Sequence, residues 1–203
     1  YQSFAALRED GSVITWGKLH NDGLVPEEPI TNVKDISSTD HAFAALREDG
    51  SVFTWGIGKY NSRNDLPANE PHHTYFYKGD VTESFLLNNH PDFGGQTRNE
   101  HADFIKLSAT KNRLSSGVIK VVSTNEASAA LKNDGTVVTY GWQNFGGDSE
   151  AVRNRLNNVV DIYSTSTTFT ALKEDGTAVF WGQNYDDLPN KLKNIDEIYS
   201  NMG

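Results

Sequence analysis

Residues 4–17 read FAALREDGSVITWG, and residues 43–56 repeat them as FAALREDGSVFTWG, with Phe53 in place of Ile14. Looser copies follow at 128–141 (SAALKNDGTVVTYG) and at 169–182 (FTALKEDGTAVFWG). One catalytic centre does not need four copies of a segment, whereas an array of repeated building blocks does. The sequence therefore predicts a repeat protein.

The spacing of the copies predicts one more. They begin at Phe4, Phe43, Ser128 and Phe169, so the intervals are 39, 85 and 41 residues. The middle interval is about twice the others, which predicts a fifth, degenerate repeat with an insertion at about 67–117. Residues 72–95 (HHTYFYKGDVTESFLLNNHPDFGG) are its best candidate. An insertion confined to one repeat is typically a loop on one face of the array.

A short apolar element ending in Ser-Thr precedes each later copy, as in NVKDISST, VIKVVST and VVDIYST. The same element recurs at 194–200 (NIDEIYS), where no copy follows it, and the copy at 4–17 has no such element before it. We therefore expect the C-terminal strand to complete the blade that the N-terminus begins, which would close a ring.

Each copy carries Asp-Gly between two apolar runs, the pattern of a β-hairpin with a type I′ turn. The run Phe4-Ala5-Ala6-Leu7 is apolar on both faces, so both faces should be covered, and small alanines allow neighbouring sheets to approach closely. Three or four short antiparallel strands repeated about every 41 residues describe a blade of a β-propeller. The fold class expected is all-β: one domain, 1–203, built from about five repeats, four clear and one degenerate. Tandem hairpins in a solenoid are the structural rival.

The copies resemble the repeat of the regulator-of-chromosome-condensation (RCC1-like) family, whose pattern reads roughly a-L-x-x-D-G-x-V-x-x-W-G. The resemblance implies a β-propeller, most often of seven blades, that serves as a platform for protein interaction. The family's Gly-Gln-Leu-Gly after Trp-Gly is absent, and NDGLVP, NDLP and YDDLPN stand in its place. These look more like bacterial relatives, one of which inhibits β-lactamase. No exchange-factor residue of the family's namesake can be placed in this sequence.

Composition limits the partners. The net charge is −9, with 18 basic and 27 acidic residues, and no basic stripe, so nucleic acid and anionic membrane are disfavoured as partners. The absence of cysteine excludes disulfides, zinc–thiolate sites and cysteine nucleophiles. No apolar run approaches the roughly 20 residues that span a bilayer. An extracellular or cell-surface bacterial location is favoured over a cytoplasmic one.

Three repeated or clustered features have a structural interpretation that we prefer. The aromatic residue that ends each hairpin is a sugar or peptide platform or, preferably, packing between blades. The Asp-Gly carboxylates belong to turns, because a calcium loop needs several closely spaced oxygen ligands. The histidines of the irregular copy lack the spacing of a metal site. We therefore expect no metal and no cofactor.

Aromatic and histidine side chains in the irregular copy are the candidate partner-binding residues. Side chains of this kind are common at protein interfaces, although they would also repack a blade that has lost a regular strand. The inserted stretch 96–116 is the best candidate for a contacting loop, since loops on rigid scaffolds tend to carry function. The candidate residues are Tyr75, Tyr77, Phe93, His101 and Phe104.

The function expected is therefore a non-catalytic protein-binding module, since no nucleophile elbow or phosphate-cradling loop is found. One alternative is a structural subunit or repeat unit of a larger surface protein or assembly, with self-association. Another is an enzyme inhibitor like the bacterial β-lactamase-inhibitory relative, an association made at the level of fold.

Overall fold

A computed structural model of the chain describes residues 3–17, 29–40, 42–57, 76–77, 110, 112–183 and 192–201. These residues form four antiparallel sheets and two short 3-10 helices, at Gln143–Phe145 and Glu150–Arg155. The strands, in chain order, are β1 (Ser3–Leu7), β2 (Val13–Gly17), β3 (Val33–Ser38), β4 (Ala42–Arg47), β5 (Val52–Ile57), β6 (Phe76–Tyr77), β7 (Val118–Ser123), β8 (Ala127–Lys132), β9 (Val137–Gly141), β10 (Val159–Ser164), β11 (Thr168–Lys173) and β12 (Ala178–Gly182). The all-β prediction is confirmed.

Within each sheet, strands that are consecutive in the sequence lie side by side. The strand orders are β1-β2, β3-β4-β5-β6, β7-β8-β9 and β10-β11-β12, and we number them sheets 1 to 4. The fourteen-residue copy forms the hairpin of each sheet, and the element before it forms the first strand. In every hairpin the first residue of the copy pairs with the aromatic residue near its end: Phe4 with Trp16, Phe43 with Trp55, Ser128 with Tyr140 and Phe169 with Trp181.

The hairpin turns differ from the predicted type I′. The glycine has a positive φ in all four turns, 76° at Gly11 for example, but the aspartate before it does not. Gly11 N–H donates to the Arg8 carbonyl at 3.0 Å, and Arg8 N–H donates to the Ser12 carbonyl at 2.9 Å. This is a three-residue loop, in which a type I turn is followed by a glycine in the left-handed region. The Asp-Gly pair thus marks the hairpin correctly but occupies its second and third loop positions.

The Ser-Thr signature caps the turn between the first and second strands. Thr39 Oγ1 accepts the Ala42 N–H at 2.9 Å, and Thr124 Oγ1 accepts the Ala127 N–H at 3.1 Å. Thr165 repeats the contact with Thr168 in sheet 4. A threonine hydroxyl that satisfies a backbone donor in a turn explains why the residue recurs.

The same backbone hydrogen bond recurs at each junction along the array. The first residue of each first strand donates its N–H to the carbonyl of the turn glycine in the preceding hairpin, at 2.9 to 3.0 Å. The residue before it lies in the left-handed region in every case and is Asn or Gly, the residues that tolerate this conformation. The donor and acceptor pairs are Val33 to Gly11, Val118 to Gly50, Val159 to Gly135 and Ile195 to Gly176.

The sheets pack face to face through small and branched residues. Ala44 and Leu46 of sheet 2 share a buried cluster with Ala130 and Val138 of sheet 3. Ala129 of sheet 3 lies in the cluster of sheet 4 that contains Phe169 and Trp181. The first strands make the closest contacts between sheets, since β3 lies beside β7 and β7 beside β10. The double-sided apolar pattern of the copies is therefore explained by sheets that are covered on both faces.

Most of the predicted degenerate repeat at about 67–117 lies outside the described residues, so this repeat stays a prediction. Val118 N–H donates to the Gly50 carbonyl, and the hydroxyls of Ser37 and Ser123 lie 2.7 Å apart, so sheet 3 packs directly on sheet 2. Phe76–Tyr77, the described part of the candidate segment 72–95, pairs with β5 as a fourth strand of sheet 2. The doubled sequence interval therefore does not separate the two sheets in space.

The part of the chain that the structure describes does not contain the expected ring closure. Among the described residues, sheet 1 contains only β1 and β2, and residues 192–201 form no strand. Residues 195–200 lie instead at sheet 4, where Ile195 bonds Gly176 as a first strand would. Within this part of the chain, no backbone hydrogen bond joins sheet 1 to residues 192–201.

Candidate interaction surface

The five residues predicted to bind a partner lie mostly outside the described part of the chain. Tyr75, Phe93, His101 and Phe104 fall there, and so does most of the stretch 96–116. Tyr77 is placed only by its backbone, which pairs with Gly56 at the edge of sheet 2. Their role in binding stays a prediction.

The end of the predicted contacting loop is part of the core. Residues 112–114 are helical, and Leu114 is fully buried in the cluster between sheets 2 and 3. The Arg113 guanidinium donates to the Val137 carbonyl at 2.9 Å, and its own carbonyl accepts a bond from Lys132 Nζ at 2.8 Å. The prediction that 96–116 is a free loop is therefore corrected for its last residues, which hold the two sheets together.

The aromatic residues of the repeat pack between sheets. Trp55, Tyr140 and Trp181 are buried, and Phe43 and Phe169 stack on their tryptophans with ring centroids 5.1 and 5.3 Å apart. The Trp181 indole N–H donates to the Gly146 carbonyl at 3.0 Å, in the loop that leaves sheet 3. These positions serve packing, as predicted; Trp16 differs because it is half exposed.

A continuous surface is formed where the first strands lie side by side. In β3, β7 and β10 the pairing with the second strand shifts after the first residue, so that the second and third residues of the strand both avoid the core. We call this the first-strand surface. Its members are Lys34, Asp35, Ile119, Lys120, Val160, Asp161, Tyr163, Asp196, Glu197 and Tyr199.

The centre of the first-strand surface is apolar. Ile119 and Val160 occupy corresponding positions of neighbouring strands and are 51% and 52% exposed. These two side chains lie on strands that contact each other, and they form the apolar part of the first-strand surface.

Charged groups and tyrosines surround this pair. Lys120 Nζ contacts the Asp161 carboxylate at 2.5 Å and lies 5.2 Å from the centre of the Tyr163 ring. Partial burial, and then the charge of Asp161, raise the pKa of the Tyr163 hydroxyl. The Tyr199 hydroxyl donates to Glu197 at 2.7 Å, and this bond raises the pKa of Tyr199. Both tyrosines therefore remain neutral hydrogen-bond donors at physiological pH.

The chemistry of the first-strand surface suits recognition. It combines exposed aliphatics, tyrosine hydroxyls and a mixed charged rim, which is the composition of protein interfaces. Sequence reasoning missed this surface because it treated the first strands only as strands. The residues at these positions read KD, IK, VD and DE, and the apolar Ile119 and Val160 do not by themselves indicate exposure, which follows from the register shift.

Among the described residues, no group of three or more His, Asp or Glu side chains could hold a metal ion. In the same part of the chain, no helix has the length and hydropathy needed to span a bilayer.

No family model matches the sequence. No curated protein matches it either. Solved structures do: the chain is similar to yeast RCC1 (Prp20), in a crystal structure with Kap60, at 18% identity and a TM-score of 0.53 over 89% of this chain and 41% of that one. It is also similar to human WBSCR16, at 18% identity and a TM-score of 0.47 over 90% of this chain and 46% of that one.

The chain thus spans less than half the length of these two solved structures. Similarity at 18% identity establishes the fold alone, and it agrees with the stacked sheets and the repeated hairpins described above. The chain has an RCC1-like β-propeller fold.

Proposed function

We propose that this chain is a non-catalytic module that binds another protein. The observation that carries the proposal is the first-strand surface, where Ile119 and Val160 are open to solvent between tyrosines and charges. Stacked sheets hold the surface rigid, so that little conformational entropy is lost on binding. The yeast RCC1 (Prp20) structure to which the chain is similar has Kap60 bound, which adds support at the level of the fold.

The residues of the irregular copy are proposed as a second contacting element. Tyr75, Tyr77, Phe93, His101 and Phe104 carry amphipathic side chains of the kind enriched at interfaces. The segment between β6 and residue 110 is tied to sheet 2 at one end through the Gly56–Tyr77 pairing, and to sheets 2 and 3 at the other through Leu114.

An affinity experiment with matched variants tests the proposal. The chain is immobilised, exposed to an extract of its source cells, and bound proteins are quantified by mass spectrometry. The double variant Ile119→Glu with Val160→Glu should reduce capture of the specific partner roughly tenfold or more, because a charge at the centre of an interface must be desolvated. Leu192→Glu is the matched control, since Leu192 is 44% exposed but lies outside the surface.

A second arm replaces Tyr75, Tyr77, Phe93, His101 and Phe104 by alanine. Loss of capture in this variant alone would assign binding to the irregular copy. If no protein is enriched over an unrelated bait, or if neither variant changes the enriched set, the proposed function is wrong.

A further inference from the structure

The hairpin of sheet 1 has an apolar face that the later sheets bury. Phe4 and Trp16 are 55% and 49% exposed, whereas their counterparts Phe169 and Trp181 are 0% and 2% exposed. Ile14, which replaces Phe53, is also exposed. Residues 4–17 and 43–56 differ at one position only. This face is nevertheless open in sheet 1 and largely covered in sheet 2.

In the rest of the array this face packs against the preceding sheet. Phe169 and Trp181 of sheet 4 share a cluster with alternate residues of the hairpin in sheet 3, among them Ala129 and Leu131. The residues at the same positions in sheet 4 are Thr168, Thr170, Leu172 and Ala178, on the face turned away from sheet 3. On this face Leu172 is buried and the other three residues are partly exposed, and one more hairpin of this kind would pack on it through the same positions.

Residues 195–200 supply the remaining element. The Ile195 N–H donates to the Gly176 carbonyl at 3.0 Å, and Asn194 before it has a φ of 59°. Residues 195–200 therefore follow sheet 4 in the same way that β3, β7 and β10 follow the hairpin before them. Among the described residues, no backbone hydrogen bond pairs it with a second strand. Ile195 and Ile198 remain partly exposed, whereas Val159 and Ile162 at the same positions of β10 are buried.

We propose that two copies of this chain associate head to tail, the hairpin β1–β2 of one copy completing a sheet with residues 195–200 of the other. The open face of the hairpin packs on sheet 4 of the other copy, and β1 pairs with residues 195–200. Register follows from sheet 3, where Ser123 pairs with Ser128 and Val121 with Ala130. Ser200 therefore lies opposite Phe4, and Ile198 opposite Ala6.

A second copy fits better than the chain's own hairpin. Within one copy, Ala5 and Val13 of sheet 1 pack against the cluster of sheet 2, and sheets 2 and 3 stand between sheet 1 and sheet 4. The packing needed between copies, with one face of a hairpin against the preceding sheet, is also the packing that this chain forms three times internally between described sheets. A head-to-tail contact uses different surfaces on the two partners and can be repeated into a ring or a chain.

Light scattering and sedimentation velocity test the association. The wild-type chain should exceed its monomer mass of 22.5 kDa in a concentration-dependent way. Trp16→Glu should weaken association roughly tenfold or more, because the charge would be buried at the centre of the contact. Ala151→Glu, at an exposed position of the 3-10 helix Glu150–Arg155, should leave association unchanged. A wild-type chain that stays at 22.5 kDa up to its solubility limit overturns the proposal.

Cysteine pairs test the register, since the natural chain has no cysteine. The hydroxyls of Ser123 and Ser128, the model for the new pair, lie 2.9 Å apart. Phe4→Cys and Ser200→Cys chains, mixed and oxidised, should give a mixed disulfide dimer well above the statistical yield, and Val160→Cys in place of Ser200→Cys should not. A statistical yield, or a double variant that forms only an internal disulfide in the monomer, would reject association between copies.

Discussion

At the scale of single residues, the same position of the repeat contributes differently to the free energy of unfolding in different sheets. Trp181 is buried, stacks on Phe169 and donates to the Gly146 carbonyl, while Trp16 at the same position is half exposed and stacks only on Phe4. Trp181→Phe removes the hydrogen bond and leaves space in the core, so the free energy of unfolding should fall by about 2–4 kcal/mol. Trp16→Phe should change it by less than about 0.5 kcal/mol.

Urea denaturation of the two variants measures the difference under identical conditions. Equal losses of unfolding free energy for Trp181→Phe and Trp16→Phe would contradict the packing described for sheet 4. Both values refer to low protein concentration, at which association through the face of Trp16 does not contribute.

Gly146 provides a second comparison at residue scale. Its φ is 91°, and a Cβ placed there would lie 2.5 Å from Cδ2 of the buried Phe169 ring. Gly146→Ala should therefore lower the free energy of unfolding by about 1–2 kcal/mol through backbone strain alone, and by more through the clash. Gly11→Ala, with a φ of 76° and a nearest atom at 3.3 Å, has similar backbone strain with a much milder clash. Equal thermal shifts for the two variants would show that the loop leaving sheet 3 does not pack on Phe169.

The turn aspartates give a prediction about pH. In each hairpin the carboxylate accepts a bond from the backbone N–H two residues later, and hydroxyl and N–H donors together lower the pKa of Asp10, Asp49, Asp134 and Asp175. A lowered pKa means that these bonds stabilise the fold above about pH 4 and are lost as pH falls below that value. Carboxyl NMR titration should give four midpoints below that of an unfolded control peptide. Midpoints equal to the peptide value would contradict the turn geometry.

These turns also show what the sequence can and cannot predict. Asp-Gly between apolar runs predicted the hairpin correctly in all four copies. It predicted the turn type wrongly, because the same dipeptide suits a two-residue loop and the end of a three-residue loop. The choice depends on which residues pair across the strands, and Leu7 pairs with Val13, which leaves room for the longer loop.

At the scale of elements, sheet 3 departs from its neighbours. It has Ser128 and Tyr140 where the other hairpins have phenylalanine and tryptophan, and the Tyr140 hydroxyl is fully buried beside Ser128. Burial is the larger influence, and it raises the pKa of Tyr140 well above its usual value of about 10. The folded protein therefore keeps a proton that the unfolded chain releases.

The free energy of unfolding should fall as pH rises above about 10, and the Tyr140 hydroxyl alone should account for up to about 1.4 kcal/mol per pH unit. Tyr140→Phe should remove that slope, and at neutral pH it should cost about 1 kcal/mol through loss of the hydroxyl interaction. Urea denaturation of both proteins between pH 7 and 11 measures the two effects. Parallel curves for the wild type and the variant would mean that Tyr140 ionises normally in the folded state.

The first strands mark a second limit of sequence reasoning at this scale. Their apolar pattern and terminal Ser-Thr predicted strands, and the structure confirms them. The shift of register after Val118 and Val159 was not foreseen, and it is this shift that brings Ile119 and Val160 to the surface. A bulge is fixed by pairing between strands, which a single strand's sequence does not encode.

At the scale of the whole molecule, distance along the chain does not decide which sheets are in contact. The doubled interval between Phe43 and Ser128 predicts a fifth, degenerate repeat, most of which lies outside the described residues and stays a prediction. Sheets 2 and 3 nevertheless form the same junction as the other pairs, through Gly50 and Val118. Complementary faces decide which sheets are in contact. Two sheets can therefore pack together although a long connection separates them in the sequence, because the entropic cost of a loop grows slowly with its length.

The last prediction concerns this connection. Replacing residues 80–108 by a Gly-Ser segment of equal length should leave the four sheets folded, with a melting temperature within a few degrees of the wild type, because the junction of sheets 2 and 3 does not depend on it. Extending the same replacement to residue 115 removes Leu114 and the Arg113 bond to Val137, and should cost about 3–5 kcal/mol in unfolding free energy. Circular dichroism melts of the two chimeras compare them directly. If the shorter replacement already unfolds the protein, the connection is part of the core, and the direct contact between sheets 2 and 3 is not sufficient to hold the array together.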